Sequence, residues 1–341
     1  MTGAFDRAIE LVEARGVPAQ LCVIHDGKVV LDRAFGCDPD GLFWIFSAGK
    51  PLTAVLVHRL GLSLDDPVVK YWPSFGQNGK DGITLRHVLR HRTGMTTAGS
   101  SLGDVVAMSS WKLSLRRIER TTPFDVPGST PAYQFVTYGF ILGEVLQRAT
   151  GMSLPALLES EVLSPLKMKD TFLGLPDKEW SRRIPMRGRG TLPRVVSAIV
   201  NTRATRRAVI PAAGVSTTAR DLAQFYQGLL DGRVLDAGKL AEATRPTSDG
   251  ETDRFVKAMV RWSQGFQLGG RREGAWASPL GQHNGRRAFG HNGSNCCVGW
   301  ADPERRIAYA YLTGAIEGRD LDIAHHAAVA DAVIDAISAG S

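Results

Sequence analysis

The order of apolar and polar positions gives the two ends of the chain a similar pattern. Residues 4–15 carry apolar side chains at helical spacing, and AQLCVIHDGKVVLDRAFG then has two β-rich runs around an Asp-Gly hairpin signal. Near the other end, SNCCVGWADPERRIAYAYLTG contains two more strand-like runs, and DLDIAHHAAVADAVIDAISA has helical periodicity. We therefore predict that strands from both ends share one antiparallel sheet, with the terminal helices packed on its face.

The middle of the chain is predicted to be mostly helical. Apolar periodic runs closed by Gly or Pro are KPLTAVLVHRLGL, TLRHVLRHRTG, YGFILGEVLQRATGMSLPALLESEVLSPL and TARDLAQFYQGLLDGRVL. The pattern predicts an α/β (α+β) fold, in which a mostly helical subdomain is inserted into an antiparallel sheet domain. We expect a discontinuous sheet domain from residues 1–45 and 255–341, a helical domain from residues 46–254, and a site in the cleft between them.

Composition excludes several classes of protein. With 341 residues, 43% of them hydrophobic, the chain is long and apolar enough to bury a large core. It has no run near the roughly 18 apolar residues of a membrane helix, and residues 1–16 lack the apolar core of a signal peptide. Its four cysteines fit neither a zinc spacing nor a dense disulfide framework, so we expect a reduced, cytoplasmic protein. Cys296 and Cys297 are interpreted as packing residues, with redox chemistry as the alternative.

A net charge of +7 raises the question of an anionic partner. Much of the excess lies in residues 181–211, which contain no acid. The arginines of this segment are Arg182, Arg183, Arg187, Arg189, Arg194, Arg203, Arg206 and Arg207. Gly and Pro interrupt the segment and no aromatic residue is interleaved for base stacking, which disfavours nucleic acid. A solvated surface loop is the first interpretation, and a pocket rim that attracts anionic substrates is the second.

The stretch FWIFSAGKPLTAV offers candidate chemistry. A serine at the start of a helix can be a plain N-cap, or a nucleophile whose base is a lysine three residues later on the same face. The Ser-x-x-Lys spacing also occurs at residues 109–112, where a Trp lies between the two residues, and at residues 164–167, which are predicted to end a helix rather than start one. Pro51 is tolerated only in about the first turn, so the helix begins near Ser47. The apolar run that follows predicts that Lys50 is buried, which lowers the pKa of an amine and makes it a base.

The ordered set of segments resembles the serine β-lactamase-like superfamily. FSAGKPLTAV is followed by LSLDDPVVKYWPSFGQNGKDGITLRHVLRHRTGM, AYQFVTYGFILGEVLQRATG, IPAAGVSTTARDLAQFYQGL and FGHNGSNCCVGWADPERRIAYAYLTG. Each segment alone is a weak signal, whereas their order covers nearly the whole chain. The resemblance is to the class C branch, and within it to the family VIII carboxylesterases and their transacylase relatives.

The resemblance implies roles for four side chains. In that superfamily the Ser-x-x-Lys motif corresponds to Ser47 as nucleophile and to Lys50. The second motif, Tyr-x-Asn, falls on YQF, so Tyr133 matches while Phe135 stands in place of the Asn. The third motif is often His-x-Gly in the esterases, and His291 is the match, whereas the earlier HNG at residues 283–285 lies in an Arg-rich turn.

The implied mechanism is acyl transfer through a covalent acyl-Ser47. Lys50 and Tyr133 would share the general-base role, and we expect the helix beginning near Thr137 and nearby cations to favour a Tyr133 phenolate. His291 is expected to hydrogen-bond Tyr133 or the substrate. The family pattern implies an oxyanion site between the backbone N–H groups of Ser47 and Ser294.

The departures from the β-lactamase motifs guide the choice of substrate. Phe135, Gly293 and Ser294 are the candidate substrate-binding residues. Because Phe135 and His291 replace an amide and a lysine that hold β-lactams, hydrolysis of small esters is the first choice. The alternatives are transfer of the acyl group to an amine or alcohol, β-lactamase or D-Ala peptidase activity, and a binding-only homologue. Outside these classes, the basic segment leaves open a protein that binds nucleic acid or an anionic surface. The sequence indicates neither a metal nor an organic cofactor.

Overall fold

A computed structural model describes residues 3–248, 250–270 and 278–340 of the chain. Its helices are α1 (Asp6–Ala14), α2 (Lys50–Arg59), α3 (Leu85–Leu89), α4 (Ser101–Ala107), α5 (Trp111–Arg120), α6 (Thr137–Thr150), α7 (Leu154–Leu158), α8 (Ser164–Leu166), α9 (Thr191–Val200), α10 (Arg203–Arg207), α11 (Ala219–Leu230), α12 (Ala237–Ala243) and α13 (Arg319–Ala339). Its strands are β1 (Ala19–His25), β2 (Lys28–Phe35), β3 (Phe43–Trp44), β4 (Phe172–Leu173), β5 (Arg187–Gly188), β6 (Val215–Thr217), β7 (Gln267–Leu268), β8 (Phe289–Gly293), β9 (Cys297–Asp302), β10 (Ile307–Thr313) and β11 (Ala315–Ile316).

The central sheet joins the two ends of the chain, as the sequence predicts. Its strand order is β2-β1-β10-β9-β8-β7, and every pair of neighbours is antiparallel. Asp26 and Gly27 connect β1 to β2 with φ angles of 50° and 74°, the left-handed conformations that a tight hairpin turn requires. The predicted fold class is therefore confirmed.

Each face of the sheet is covered by helices. Side chains alternate between the two faces, so that Leu21 and Tyr309 pack towards α1 and α13. On the opposite face, Cys22 and Ala308 belong to the core shared with the middle of the chain, where α11 packs on the central strands. The division into domains at residues 45/46 and 254/255 stays a prediction.

The arginine-rich segment is not the surface loop that its composition suggested. It forms β5, α9 and α10, and Arg206 is fully buried, with Nε donating to the Val200 carbonyl oxygen at 2.9 Å. Burial lowers the pKa of Arg206 to about 10. Several other arginines of the segment form ion pairs with acids elsewhere in the chain. One example is Arg203, whose Nε lies 2.9 Å from Asp177 Oδ1. The apolar positions that α9 carries between these charges explain why a helix forms here.

The helices of residues 3–248, 250–270 and 278–340 do not have the character of membrane spans. Each of these helices is too short or too polar to cross a bilayer.

Candidate active site

Ser47 lies in a 3₁₀ turn, Phe46–Gly49, that runs directly into α2. Pro51 occupies the first turn of α2, as predicted. Ser47 is partly exposed and caps neither the turn nor α2 with its side chain, so the alternative interpretation of Ser47 as an N-cap is wrong. Phe46, the residue before it, has a φ of 49°, a conformation that is strained for a bulky side chain. Such local strain is typical of functional sites.

The amine of Lys50 is buried beside Ser47, as predicted. Its Nζ lies 3.1 Å from Ser47 Oγ and donates to the carbonyl oxygens of Phe135 at 2.7 Å and Ala212 at 3.3 Å. Burial holds the pKa of Lys50 well below its ordinary value. A neutral amine has two N–H groups and one lone pair, so it can satisfy both carbonyls and still accept the Ser47 proton.

Tyr133 contacts the other side of the Ser47 hydroxyl. Its Oη donates to Ser47 Oγ at 2.6 Å. The predicted phenolate is wrong, because burial raises the pKa of Tyr133 above its ordinary value and the nearby charge of Asp253 raises it further. Lys50, whose Nζ lies over the Tyr133 ring at 4.7 Å from the centroid, does not offset this, because its buried amine is neutral. Tyr133 is therefore a protonated donor in the free protein.

Asp253 and two aromatic neighbours fix the position of Tyr133. Asp253 is fully buried, and its Oδ2 accepts from the Tyr133 backbone N–H at 2.9 Å and from Trp262 Nε1 at 3.0 Å. Trp262 stacks on the Tyr133 ring with centroids 5.4 Å apart, and the buried His91 packs 4.8 Å from the same ring. Sequence reasoning missed Asp253 and His91, because neither belongs to a local motif.

His291 lies near this cluster on β8. Of its two predicted hydrogen-bond partners, Tyr133 is wrong, and the substrate stays a prediction. Its Nδ1 is 2.6 Å from the Asn292 carbonyl oxygen, and its buried Nε2 has no hydrogen-bond partner among the described residues. The ring centroids of His291 and Tyr133 are 6.1 Å apart. Burial lowers the pKa of His291 to about 3. The imidazole is therefore neutral.

The end of β8 packs against the turn that carries Ser47. A Cβ added at Gly293 would overlap the Ile45 carbonyl oxygen and lie 3.0 Å from the Ala48 nitrogen, so only glycine allows this approach. Ser294 follows with a φ of 46° in the tight turn to β9. This close packing brings Gly293 and Ser294 to Ser47, whereas the use of the Ser47 and Ser294 N–H groups as oxyanion donors stays a prediction.

A cleft of about 260 Å³ opens beside Ser47 and Tyr133. Its walls are largely apolar, with Phe135, Phe255 and Trp262 among them. Polar lining comes from Gln267, Asn292, Ser294, Asn295 and Arg319. Arg319 donates Nη2 to the Val256 carbonyl oxygen at 2.9 Å. Phe135, singled out as a departure from the family motif, is therefore a wall of this cleft.

A second cavity of about 130 Å³ also contacts Ser47, and sequence reasoning missed it. Apart from Ser47 and Ser294, its lining is apolar and comprises Trp44, Phe46, Val105, Met108, Phe135, Val136, Val196, Ile199, Val200 and Ala213. The signal that could have found it is the set of apolar residues on α9, with Val196, Ile199 and Val200 at spacings of three and four.

The discounted motif copies have none of this environment. Ser109 and Lys112 are both exposed, and Ser164 donates its hydroxyl to Glu159 at 2.6 Å. His283, in the earlier HNG, is exposed, with its Nδ1 2.8 Å from Asp335 Oδ1. The structure thus brings together Ser47, Lys50, Tyr133, Phe135 and the β8 end.

Comparisons with known proteins agree with the predicted resemblance. The family model described as Beta-lactamase matches residues 5–333. Esterase/beta-lactamase LipL of Mycobacterium tuberculosis (strain ATCC 25618 / H37Rv) is 27% identical over 342 residues, which span 86% of this chain and 76% of that protein. Esterase EstB of Burkholderia gladioli is 31% identical over 199 residues, which span 50% of each protein. A solved family VIII carboxylesterase superposes with a TM-score of 0.84 at 25% identity and covers 98% of both chains.

The neutral state of Lys50 predicts a specific pH dependence of stability. Between the lowered native pKa of Lys50 and the ordinary value of about 10.4, the unfolded chain protonates this lysine and the native chain does not, so native stability rises with pH in that window. Lys50→Met removes the difference in proton binding. The free energy of unfolding of K50M minus that of wild type should therefore fall as the pH rises from 8.5 to 10 in urea titrations, by at most about 1.4 kcal/mol per pH unit. Lys112→Met, at an exposed lysine, is the matched control, and an unchanged difference for K50M would mean that native Lys50 is charged.

Proposed function

The chain belongs to the Beta-lactamase family of serine hydrolases, and on that premise we propose that it is a carboxylesterase acting on small esters through a covalent acyl-Ser47. The observation that carries this proposal is the position of Ser47 Oγ between a neutral amine and a phenol. Lys50 Nζ lies 3.1 Å away and Tyr133 Oη 2.6 Å away. Nucleophile and base within hydrogen-bond reach of each other are the signature of covalent catalysis.

In the first half of the reaction, Lys50 takes the Ser47 proton as Oγ bonds to the acyl carbon. The C–O bond to the leaving group then breaks, and Tyr133 gives its hydroxyl proton to the departing oxygen. The proton held by Lys50 restores Tyr133, so the net transfer is from Ser47 to the alcohol. In the second half, water attacks the acyl carbon and gives a proton to the pair of Lys50 and Tyr133. The bond between the acyl carbon and Ser47 Oγ then breaks, the acid is released, and Ser47 Oγ recovers its proton.

Backbone groups of Ser47 and Ser294 are the proposed donors to the oxyanion. Ser47 lies in the 3₁₀ turn that leads into α2, and Ser294 lies in the turn that Gly293 brings against it. N–H groups in such fixed positions stabilise the negative charge that develops on the carbonyl oxygen, and losing one costs about 3 kcal/mol of barrier.

An ester is a better substrate for this site than a β-lactam. Phe135 offers a ring where the resemblance places an amide, and His291 is neutral where the β-lactamases have a lysine. The site therefore lacks two polar groups that grip a β-lactam, and an ester needs neither. The names of two similar proteins, Esterase EstB and a family VIII carboxylesterase, agree with this choice.

Replacement of Ser47 tests the nucleophile. Ser47→Ala should reduce kcat for a short-chain nitrophenyl ester by at least 10³-fold, because covalent catalysis is lost. Ser109→Ala, which removes the serine of a discounted Ser-x-x-Lys copy, should keep wild-type activity. Intact mass and peptide mapping after fluorophosphonate treatment should place the label on Ser47, and label on any other serine would contradict the mechanism.

Replacement of Tyr133 tests the proton donor. A nitrophenolate leaves without protonation, whereas an alkoxide needs an acid, so the effect of Tyr133→Phe should depend on the leaving group. We expect kcat to fall 10²- to 10⁴-fold for ethyl and benzyl esters, and by at least tenfold less for nitrophenyl esters of the same acid. Equal losses for both classes of ester would assign Tyr133 to another role.

Acyl transfer to an amine or alcohol is a second candidate, because aromatic side chains wall the cleft beside Ser47. Phe135, Phe255 and Trp262 present surfaces that favour an apolar acceptor over water. An activated ester incubated with a panel of aromatic amines and alcohols should then give acceptor-derived amide or ester in amounts that exceed the uncatalysed reaction. Free acid as the sole enzymatic product across the panel would restrict the protein to hydrolysis.

A further inference from the structure

The cleft and the apolar cavity meet at Ser47, and they share Phe135 and Ser294 as walls. An ester bound for attack places its acyl carbon at Ser47 Oγ, so its acyl chain and its leaving group extend in different directions. Two cavities that open from one nucleophile can accommodate these two parts separately. Which part enters which cavity follows from the position of the proton donor.

Tyr133 is the group that decides the assignment. It lines the cleft, and it is not among the residues that line the apolar cavity. Its Oη must reach the leaving oxygen to protonate it, so the leaving group lies on the Tyr133 side of Ser47, in the cleft. The acyl chain then remains on the opposite side, in the apolar cavity.

We propose that the apolar cavity between α4 and α9 is the acyl-binding pocket and that Val196 and Ile199 of α9 limit the length of the acyl chain. This inference rests on the proposed esterase activity. Val105 and Met108, at the end of α4, face the same cavity. A lining of this kind binds a hydrocarbon chain and rejects a charged or strongly hydrated acyl group.

The volume of the apolar cavity limits the length of the acyl chain that it can hold. At about 130 Å³ it is slightly smaller than an engineered protein cavity of about 150 Å³ that binds benzene, a molecule of six carbons. The pocket therefore takes an acyl chain of about four to six carbons. Each methylene buried within it should raise kcat/KM about fourfold, until the chain reaches α9 and further carbons clash.

Nitrophenyl esters from acetate to decanoate test the assignment. For wild type, kcat/KM should rise with chain length to about six carbons and then fall. Val196→Ala enlarges the pocket and should move the maximum to longer chains by one or two carbons. Ala213→Leu fills the pocket and should move the maximum to acetate.

Two matched variants control for indirect effects. Val195→Ala makes the same change at the neighbouring residue of α9, whose side chain is 52% exposed, and should leave the chain-length profile unchanged. Val256→Ala changes the cleft and should alter the preference among alcohol groups of butyrate esters without moving the acyl-length maximum.

The outcomes separate this inference from the proposed function. Activity that depends on Ser47, with a chain-length profile unchanged by both Val196→Ala and Ala213→Leu, would overturn the acyl pocket and leave the esterase intact. A profile that moves with Val256→Ala instead would reverse the assignment of the two cavities. Absence of Ser47-dependent turnover for every ester would remove the esterase and, with it, this inference.

Discussion

Burial of the Lys50 amine is the constraint on which the chemistry of the site depends. The described contacts of Nζ are the Ser47 hydroxyl and the backbone carbonyls of Phe135 and Ala212, with no carboxylate to stabilise a positive charge. Taking an unpaired ammonium out of water is costly, so the amine gives up its proton. His291 is neutral as well, because burial lowers its pKa to about 3. Burial therefore leaves both Lys50 and His291, two of the groups around the Ser47 hydroxyl, uncharged.

Local signals in the sequence were sufficient to predict much of the fold. The Asp26-Gly27 hairpin and the start of α2 near Pro51 depend on the conformations of a few adjacent residues, which the sequence states directly. The terminal helices follow from apolar spacing alone. Ser47, Lys50, Tyr133 and His291 were identified because their order along the chain resembles that of a known superfamily, whereas no one of these motifs is specific by itself.

What the sequence could not predict depends on contacts between distant segments. Asp253 holds the Tyr133 backbone across 120 positions of the chain, and its flanking residues carry no motif. The predicted direction of the Tyr133 pKa shift is wrong for the same reason. The shift depends on burial and on the Asp253 charge, which are properties of the folded chain. Similarly, the apolar face of α9 was not predicted, because the eight arginines of residues 181–211 favoured a surface loop. The apolar spacing of α9 is nevertheless present in the sequence.

Under the proposed mechanism, Phe135 shows how substrate choice can change while the chemistry is kept. The contact that holds Lys50 is made by the Phe135 backbone carbonyl at 2.7 Å, and a backbone group is the same for every side chain. The Phe135 ring, by contrast, lines both the cleft and the apolar cavity. Replacing an amide by a ring at this position therefore removes a polar grip on substrate and builds an apolar wall without displacing the base. Chemistry and recognition are carried by different atoms of one residue, so they can vary independently.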